Sequence, residues 1–355
     1  MKGNVVFSIT KASEGLEALV EELFEKAVDP PVFYSKGMLQ VWREISHVNY
    51  HLATLEVEGH LCFALPIIKD KCWKNVSFDG WDNLDVLRSS KASADHERKF
   101  WLMLVEKVGF VKLTEFSQNS TAFKDVSKIK SALVDRRKCP FIRLEFNWQS
   151  LNKSLSKKLT RNLRQYGNKA LAAGITFSVK NAGKLTPEEQ HKKLKKAFSF
   201  HEVRMEELNQ KSKFSAQQRE EYHQTVLQQA ENTFVIEAKN ENQETIAFYY
   251  GLFNKSRLAW FNGGYSADYH NYSIGTLLVA ELISYAMKNG MYVFDFLRGN
   301  EEYKQKWTSD FDLNKDIYLV SRNLKHRLIW YRTLFYDTRK RVGSKNAFIK
   351  IISLK

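Results

Sequence analysis

GGYSADYHNYSIGTLLVAELI, residues 263–283, and FDFLRGNEEYKQKW, residues 294–307, are the two stretches on which the fold turns. The first begins at paired glycines, where the aromatic run RLAWFNGGY ends, crosses a polar loop and enters a long apolar helix at Ser273, Ile274 and Gly275. A helix entrance carries unpaired N–H groups and about half a positive charge, so it suits a phosphate. A glycine there lets the phosphate come close to the backbone. The second stretch is an apolar strand ending in Asp295. Arg298, Glu301, Tyr303, Lys304 and Trp307 follow within a short polar span. So many different functional side chains at one strand end point to chemistry.

Upstream, NTFVIEAKNENQETIAFYYGLF reads as two strands joined by a turn at Asn240 to Gln243. YHLATLEVEGHLCFALPII, with its turn at Glu58-Gly59, has the same form in the first half. Each pair is followed by a further aromatic strand, a helix closing on glycine (Gly109, Gly290) and another strand. That repeated order suggests a duplicated α/β unit. The predicted fold class is α/β with mixed sheets: two tandem domains, each a mixed sheet flanked by helices. Their expected bounds are 1–150 and 151–320, followed by a basic helical tail over 321–355.

Between the repeats the sequence predicts helices. SLSKKLTRNLRQYGNKALAAG stops at Gly174. TPEEQHKKLKKAFSFHEVRMEELN opens on Thr186, Pro187 and Glu189, a capping box with proline in the first turn. Ser215 and Gln218 repeat the capping-box spacing for a helix through Gln229.

The chain has 355 residues, 43% of them hydrophobic, enough apolar surface for two cores. No apolar run approaches the roughly 20 residues that span a bilayer. Glutamates stand where an export signal needs its apolar centre, so a cytoplasmic protein is expected. Cys62, Cys72 and Cys139 lack metal-ligand spacing and read as packing residues of a reducing compartment. The net charge of +15 attracts polyanions without choosing among them. Lys153, Lys157, Lys158, Arg161, Arg164 and Lys169 crowd one helix, which is either a solvated face or the lining of a cleft for an anionic substrate. Aromatics are not interleaved with these charges, so no specific DNA groove is expected. No HExxH, CxxC pair or carboxylate cluster suggests a metal, and no GxSxG elbow suggests a covalent intermediate.

The order strand, strand, phosphate-loop-like turn, helix, strand ending in Asp295 resembles the cofactor-binding half of the GNAT acyltransferase superfamily. Over most of the chain the sequence is similar to the FemAB-related GNAT subfamily associated with CelD and BcsL proteins of polysaccharide clusters. CPFIRLEF, LSKKLTRNLRQY, HEVRMEEL, ETIAFYYGL and the two opening stretches carry that likeness. The superfamily loop has Arg or Gln, two residues, Gly, one residue, then Gly or Ala. Here His270, Ser273 and Gly275 stand at those places.

The resemblance implies two tandem GNAT-like domains and an acyl-CoA co-substrate, acetyl-CoA or another, with no metal. Its pyrophosphate is expected at Ser273, Ile274, Gly275 and Thr276. Its pantetheine arm is expected in a gap between splayed strands near Phe248, Tyr249 and Tyr250, whose backbone would supply an oxyanion donor. Acyl transfer to an amine also needs a proton acceptor, because an alkyl ammonium titrates near about 10.4, and a proton donor for the departing thiolate. Asp295, with Glu301 or Glu302 as competitors, is the expected acceptor or orienting group, and Tyr303 the expected donor. Lys304 and Arg298 would hold an anionic group, and Trp307 would wall the pocket. The subfamily places a substrate-facing arginine at Arg204, while His201 beside it reads as packed. Against these stand plainer readings, in which Asp295 caps a turn or pairs with Arg298, and Tyr303 and Trp307 are core aromatics.

The first half has no equivalent glycine loop and is expected to shape the acceptor cleft. The expected function is acyl-CoA-dependent N-acyl transfer to a small-molecule amine or amino sugar, in polysaccharide or cell-envelope biosynthesis. The alternative is a FemAB-like aminoacyltransferase, the one reading that brings in tRNA. A second alternative is a non-catalytic protein resting on anionic membrane through LKHRLIWYRTLFYDTRKRV, although docking of that helix on the second domain is the simpler expectation.

Overall fold

The structure, a computed structural model, describes residues 4–27, 29–120, 131–144, 147–207, 209, 217–342 and 349–352. The chain forms two compact units: residues 1–139 together with 311–355, and residues 140–310.

In the first unit the strands lie in the order Val5–Lys11, His51–Val57, His60–Lys69, Trp73–Asn75, Phe110–Ser117, Phe311–Val320 and residues 131–139. The first four pair antiparallel, and Trp73–Asn75 runs parallel to Phe110–Ser117. Glu58 and Gly59 both take positive φ (53° and 78°), the backbone that matches a two-residue turn to the twist of its strands.

The domain bounds differ from the sequence expectation at both junctions, since residues 140–150 fall in the second unit and residues 311–320 in the first. Phe311–Val320 pairs antiparallel with Phe110–Ser117. The tail helix Leu324–Val342 buries Trp330 and Leu334 with Phe110, Ala132, Val134 and Tyr318. Asp337 of that helix meets Lys112 at 2.6 Å and accepts from the Tyr318 hydroxyl at 2.8 Å. The tail therefore docks on the first unit, not on the second. Its apolar residues specify burial but not the sheet that provides it, so local sequence could not choose.

Among the described residues the second unit contains β1 (Thr176–Asn181), β2 (Thr233–Lys239), β3 (Thr245–Phe253), β4 (Arg257–Tyr265) and β5 (Val293–Asp295), with residues 141–143 pairing antiparallel with β5. Its helices are α1 (Trp148–Ser154), α2 (Lys157–Ala172), α3 (Pro187–Glu207), α4 (Gln217–Gln229), α5 (Ile274–Lys288) and the short α6 (Glu302–Gln305). β1 to β4 are successive antiparallel neighbours, and β5 lies parallel to β4. Strand, two helices, three strands, helix, parallel strand is also the order of the first unit, which adds only the two-residue strand Leu87–Arg88 before the helix. The repeat read from the sequence is thus present in the architecture.

Local chemistry sets the helix ends. Thr186 and Glu189 form the predicted capping box, with Glu189 N–H donating to the Thr186 hydroxyl and Thr186 N–H to the Glu189 carboxylate. Ser215 lies outside the described residues, as does the Gln218 side chain. α5 buries Ile274, Leu277, Leu278, Leu282 and Ile283 at helical spacing, each contributing about 1.5–3 kcal/mol. It stops at Gly290, where φ is 72°.

Candidate active site

The site is built where β4 outruns β5. Only Arg257, Leu258 and Ala259 pair with β5, opposite Val293, Phe294 and Asp295. From Trp260 to Tyr265 β4 keeps its β3 partner, while its other edge has left the parallel ladder. The register with β3 shifts between Tyr250 and Gly251, which leaves Phe261 as an extra residue on β4. Such a bulge bends a strand and increases its twist, which favours separation from a neighbour.

The sequence placed the open strand at Phe248, Tyr249 and Tyr250. These residues instead lie on β3, which is paired on both sides. The opening belongs to the next strand, and the reason is one of pairing: only three parallel pairs join β5 to β4, and β5's other edge is taken by residues 141–143, against a full-length antiparallel ladder between β3 and β4. Phe248 and Tyr250 are buried. Tyr249 does reach the site, by its ring, which stacks on Trp260 at 4.4 Å.

The glycines at the end of β4 serve close approach. A Cβ at Gly263 would stand 2.4 Å from the Phe248 carbonyl oxygen, and one at Gly264 2.2 Å from the Ala197 carbonyl oxygen of α3. The adjacent Asn262 caps Gly263 N–H at 2.8 Å and faces Nε2 of His223 at 3.3 Å. Nδ1 of His223 pairs with the Tyr250 hydroxyl. Burial of this imidazole, with Arg219 adding to the effect, pushes its pKa down to about 3.

A histidine whose folded pKa is depressed stabilises the fold fully above its unfolded value of about 6.5 and loses that contribution as pH falls towards the folded one. Between pH 6.5 and 3 the wild-type protein should therefore lose stability more steeply than His223→Gln, by up to one proton's worth, about 1.4 kcal/mol per pH unit. Denaturant melts across that range check this, and parallel slopes would contradict it.

β4 leads through a short helical turn, Ala267–Tyr272, to the entrance of α5. Ser273 sits there in the left-handed region (φ 51°, ψ 43°), where the superfamily loop carries glycine. A non-glycine residue in that region costs about 1–2 kcal/mol, strain of the kind found at ligand sites. The Ser273 hydroxyl bonds to Thr276 Oγ1 at 3.1 Å and does not cap the helix. Among the described residues no acceptor meets the N–H of Ile274 or Gly275. In the first unit the corresponding helix, Ala94–Val108, is closed by its own capping box between Ser93 and His96. One helix entrance is sealed and the other is open.

Tyr265 connects that entrance to the rest of the site. Its ring stands 3.3 Å from where a Cβ on Gly275 would be, and its hydroxyl accepts from the Arg204 guanidinium, which also lies 5.1 Å from the ring centroid. Tyr303 of α6 packs edge-on against Phe296. Burial raises its phenol well above the ordinary value, and the Glu301 carboxylate adds to the rise, while Trp260 and Arg204 oppose it. Burial likewise raises Tyr249, with Tyr303 and Tyr265 contributing. Arg204, Tyr249, Tyr265, Trp260, Glu301 and Tyr303 thus form one cluster at the open edge of β4.

Other expected site residues have structural partners. Asp295 is buried, ion-paired to Arg257 at 2.7 Å, and accepts Leu297 N–H at 2.8 Å. It anchors the strand end, with Arg257 as a cation partner. Lys304 is buried, donates to the Arg298 carbonyl at 2.6 Å and meets Glu301 at 2.9 Å. It ties down the turn in which Leu297 and Gly299 take positive φ. The Arg298 backbone belongs to that turn. Trp307 lies in the core of the second unit. Trp260, Tyr265 and His223 were not singled out from the sequence. Alternating aromatics before Gly263-Gly264 were the available signal, but only strand pairing separates site aromatics from core ones.

A cavity of about 1020 Å³ lies elsewhere in this unit, between α2 and α5, and the basic side chains Lys153, Lys157, Arg161 and Arg164 are among its lining. None of the six cluster residues lines it. The basic helix therefore does border a cleft, alongside apolar Leu163 and Leu277. Among the described residues no group of histidine, cysteine and carboxylate side chains could hold a metal, and no helix is long and apolar enough to cross a membrane.

Residues 157–305 match a family model described as an acetyltransferase (GNAT) domain. No curated protein matches the chain. Among solved structures, FemX is similar with a TM-score of 0.65 at 7% identity, covering 91% of this chain and 100% of that one. A conserved protein of unknown function from Bacteroides thetaiotaomicron gives 0.60 at 10% identity, over 89% and 100%. L-PGS from Bacillus licheniformis gives 0.56 at 14%, over 91% and 96%. At these identities the likeness is one of fold: the chain has a GNAT- and FemAB-like fold, and the GNAT family match lies within its second unit.

Proposed function

We propose that the second unit is an acyl-CoA-dependent N-acyltransferase acting on a small-molecule amine or amino sugar, with acetyl-CoA as the first donor to test. The supporting observation is the edge of β4 that leaves the parallel ladder at Trp260 and leads to an uncapped helix entrance. The residues fit the donor's chemistry. Two N–H groups at Ile274 and Gly275 suit a diphosphate, and the backbone of residues 260–264 suits an extended amide-bearing arm.

When bound, the donor supplies the thioester. Arg204, fixed by Tyr265, would hold an anionic group of the acceptor. Glu301, half-exposed beside Tyr303, would take the ammonium proton. The amine nitrogen then forms its bond to the acyl carbon as the carbon–sulfur bond breaks. Tyr303 would donate its phenolic proton to the departing sulfur, and the resulting phenolate would take up the surplus proton of the newly acylated nitrogen. A role in polysaccharide or cell-envelope biosynthesis, as in the CelD- and BcsL-associated subfamily, belongs to the same proposal.

A second reading takes the acyl group from aminoacyl-tRNA, as FemAB-like transferases do. It draws on the net charge of +15 and on a likeness to FemX that covers both units. The two readings separate in a thermal-shift experiment. Acetyl-CoA or free CoA should raise the melting temperature and aminoacyl-tRNA should not. The reverse pattern would transfer the assignment to the second reading.

A further inference from the structure

The tail helix Leu324–Val342 carries two apolar stripes, and docking accounts for one. Trp330 and Leu334 face the first unit's core, and Asp337 takes the Lys112 ammonium and the Tyr318 hydroxyl. Leu324, Leu328, Tyr331 and Phe335, spaced i, i+4, i+7 and i+11, form a second ridge. Leu324 is 74% exposed, and Leu328 and Phe335 are each 65% exposed. Six of the fifteen large apolar side chains exposed among the described residues lie on this one helix, a concentration that marks an interaction surface.

Lys325 and Arg332, both exposed, border the ridge. Residues 322–355 contain ten lysines and arginines against a single acid, Asp337. An apolar ridge with aromatic members and cationic flanks is the physical signature of a helix lying in a lipid interface, with its apolar side among the acyl chains and its cations among anionic headgroups. A second copy of the chain is a poor occupant, because pairing this face with itself would set like charges against each other.

We infer that the helix Leu324–Val342 is a membrane-surface anchor, held to the first unit by Trp330, Leu334 and Asp337 and presenting Leu324, Leu328, Tyr331 and Phe335 to an anionic bilayer. This holds whichever acyl donor the second unit uses.

The test is co-sedimentation of the full chain with vesicles of phosphatidylcholine alone and of phosphatidylcholine mixed with phosphatidylglycerol. The anionic vesicles should bind at least about tenfold better, and added salt should weaken the binding. Leu328→Glu/Phe335→Glu should lower partitioning about tenfold while circular dichroism and melting temperature stay those of the wild type. Lys325→Glu/Arg332→Glu should remove the preference for anionic lipid and keep the fold. Three results would overturn the inference: no binding to the anionic vesicles, equal binding by the Leu328→Glu/Phe335→Glu protein, or wild-type self-association that those substitutions abolish.

Discussion

Gly275→Glu removes the rise in melting temperature that acetyl-CoA or free CoA gives the wild-type protein. A ligand present at one hundred times its Kd stabilises by about 2.7 kcal/mol, a shift of several degrees for a unit of this size. Glutamate at position 275 would place a carboxylate where the diphosphate must sit, and its Cβ would begin 3.3 Å from the Tyr265 ring. The substitution is otherwise mild. Position 275 lies in the first turn of α5, glutamate is a better helix former than glycine, and a negative charge is favourable at that end of a helix. The variant should therefore remain folded without ligand and fail to move when CoA is added. A full ligand shift in the variant would remove the α5 entrance from the donor site.

Tyr303→Phe lowers turnover by about 100-fold or more while changing acyl-CoA affinity by less than about threefold. The aromatic ring that packs against Phe296 is retained, so the fold and the wall of the site survive, and only the hydroxyl is lost. A phenol is protonated throughout the neutral range, and desolvation of this hydroxyl, with Glu301 beside it, raises its pKa further. Such a group is available as a donor, and the departing thiolate, with an ordinary thiol pKa of about 8.5, needs one. Release of free thiol against a panel of amines reads the effect directly. Unchanged turnover, or a loss confined to KM, would take Tyr303 out of the proton path.

The sequence made the second unit more legible than the first. Helix stops at Gly109, Gly174 and Gly290, the Glu58-Gly59 turn and the Thr186 capping box are local events, and local residue types specify them. The repeated order of elements was visible for the same reason. Which strand parts from its neighbour is a different kind of fact. It depends on how far β5 stays in register with β4 before the chain turns at Leu297, and on one extra residue at Phe261. Neither leaves a mark in composition or periodicity, so the opening was expected one strand too early.

Asp295 and Lys304 show a related limit. A carboxylate and an ammonium in a functional-looking stretch read as reactive groups, yet both are buried with fixed partners that build the turn carrying Tyr303. Arg204 and Tyr303 come together because α3 and α6 reach the same strand end from distant parts of the chain. The tail helix went astray for want of a partner: its sequence announces burial, and two apolar stripes can each claim it.

The central claim is that the edge of β4 beyond Ala259 and the entrance of α5 together hold the acyl donor. Hydrogen exchange read by mass spectrometry, with and without acetyl-CoA, tests it most directly, because unpaired amides exchange freely until a ligand covers them. Protection should appear in segments spanning 260–265 and 273–277 and be absent from the equivalent helix entrance at Ala94. Protection confined to the cleft between α2 and α5, or no protection in either predicted segment at saturating acetyl-CoA, would contradict the account.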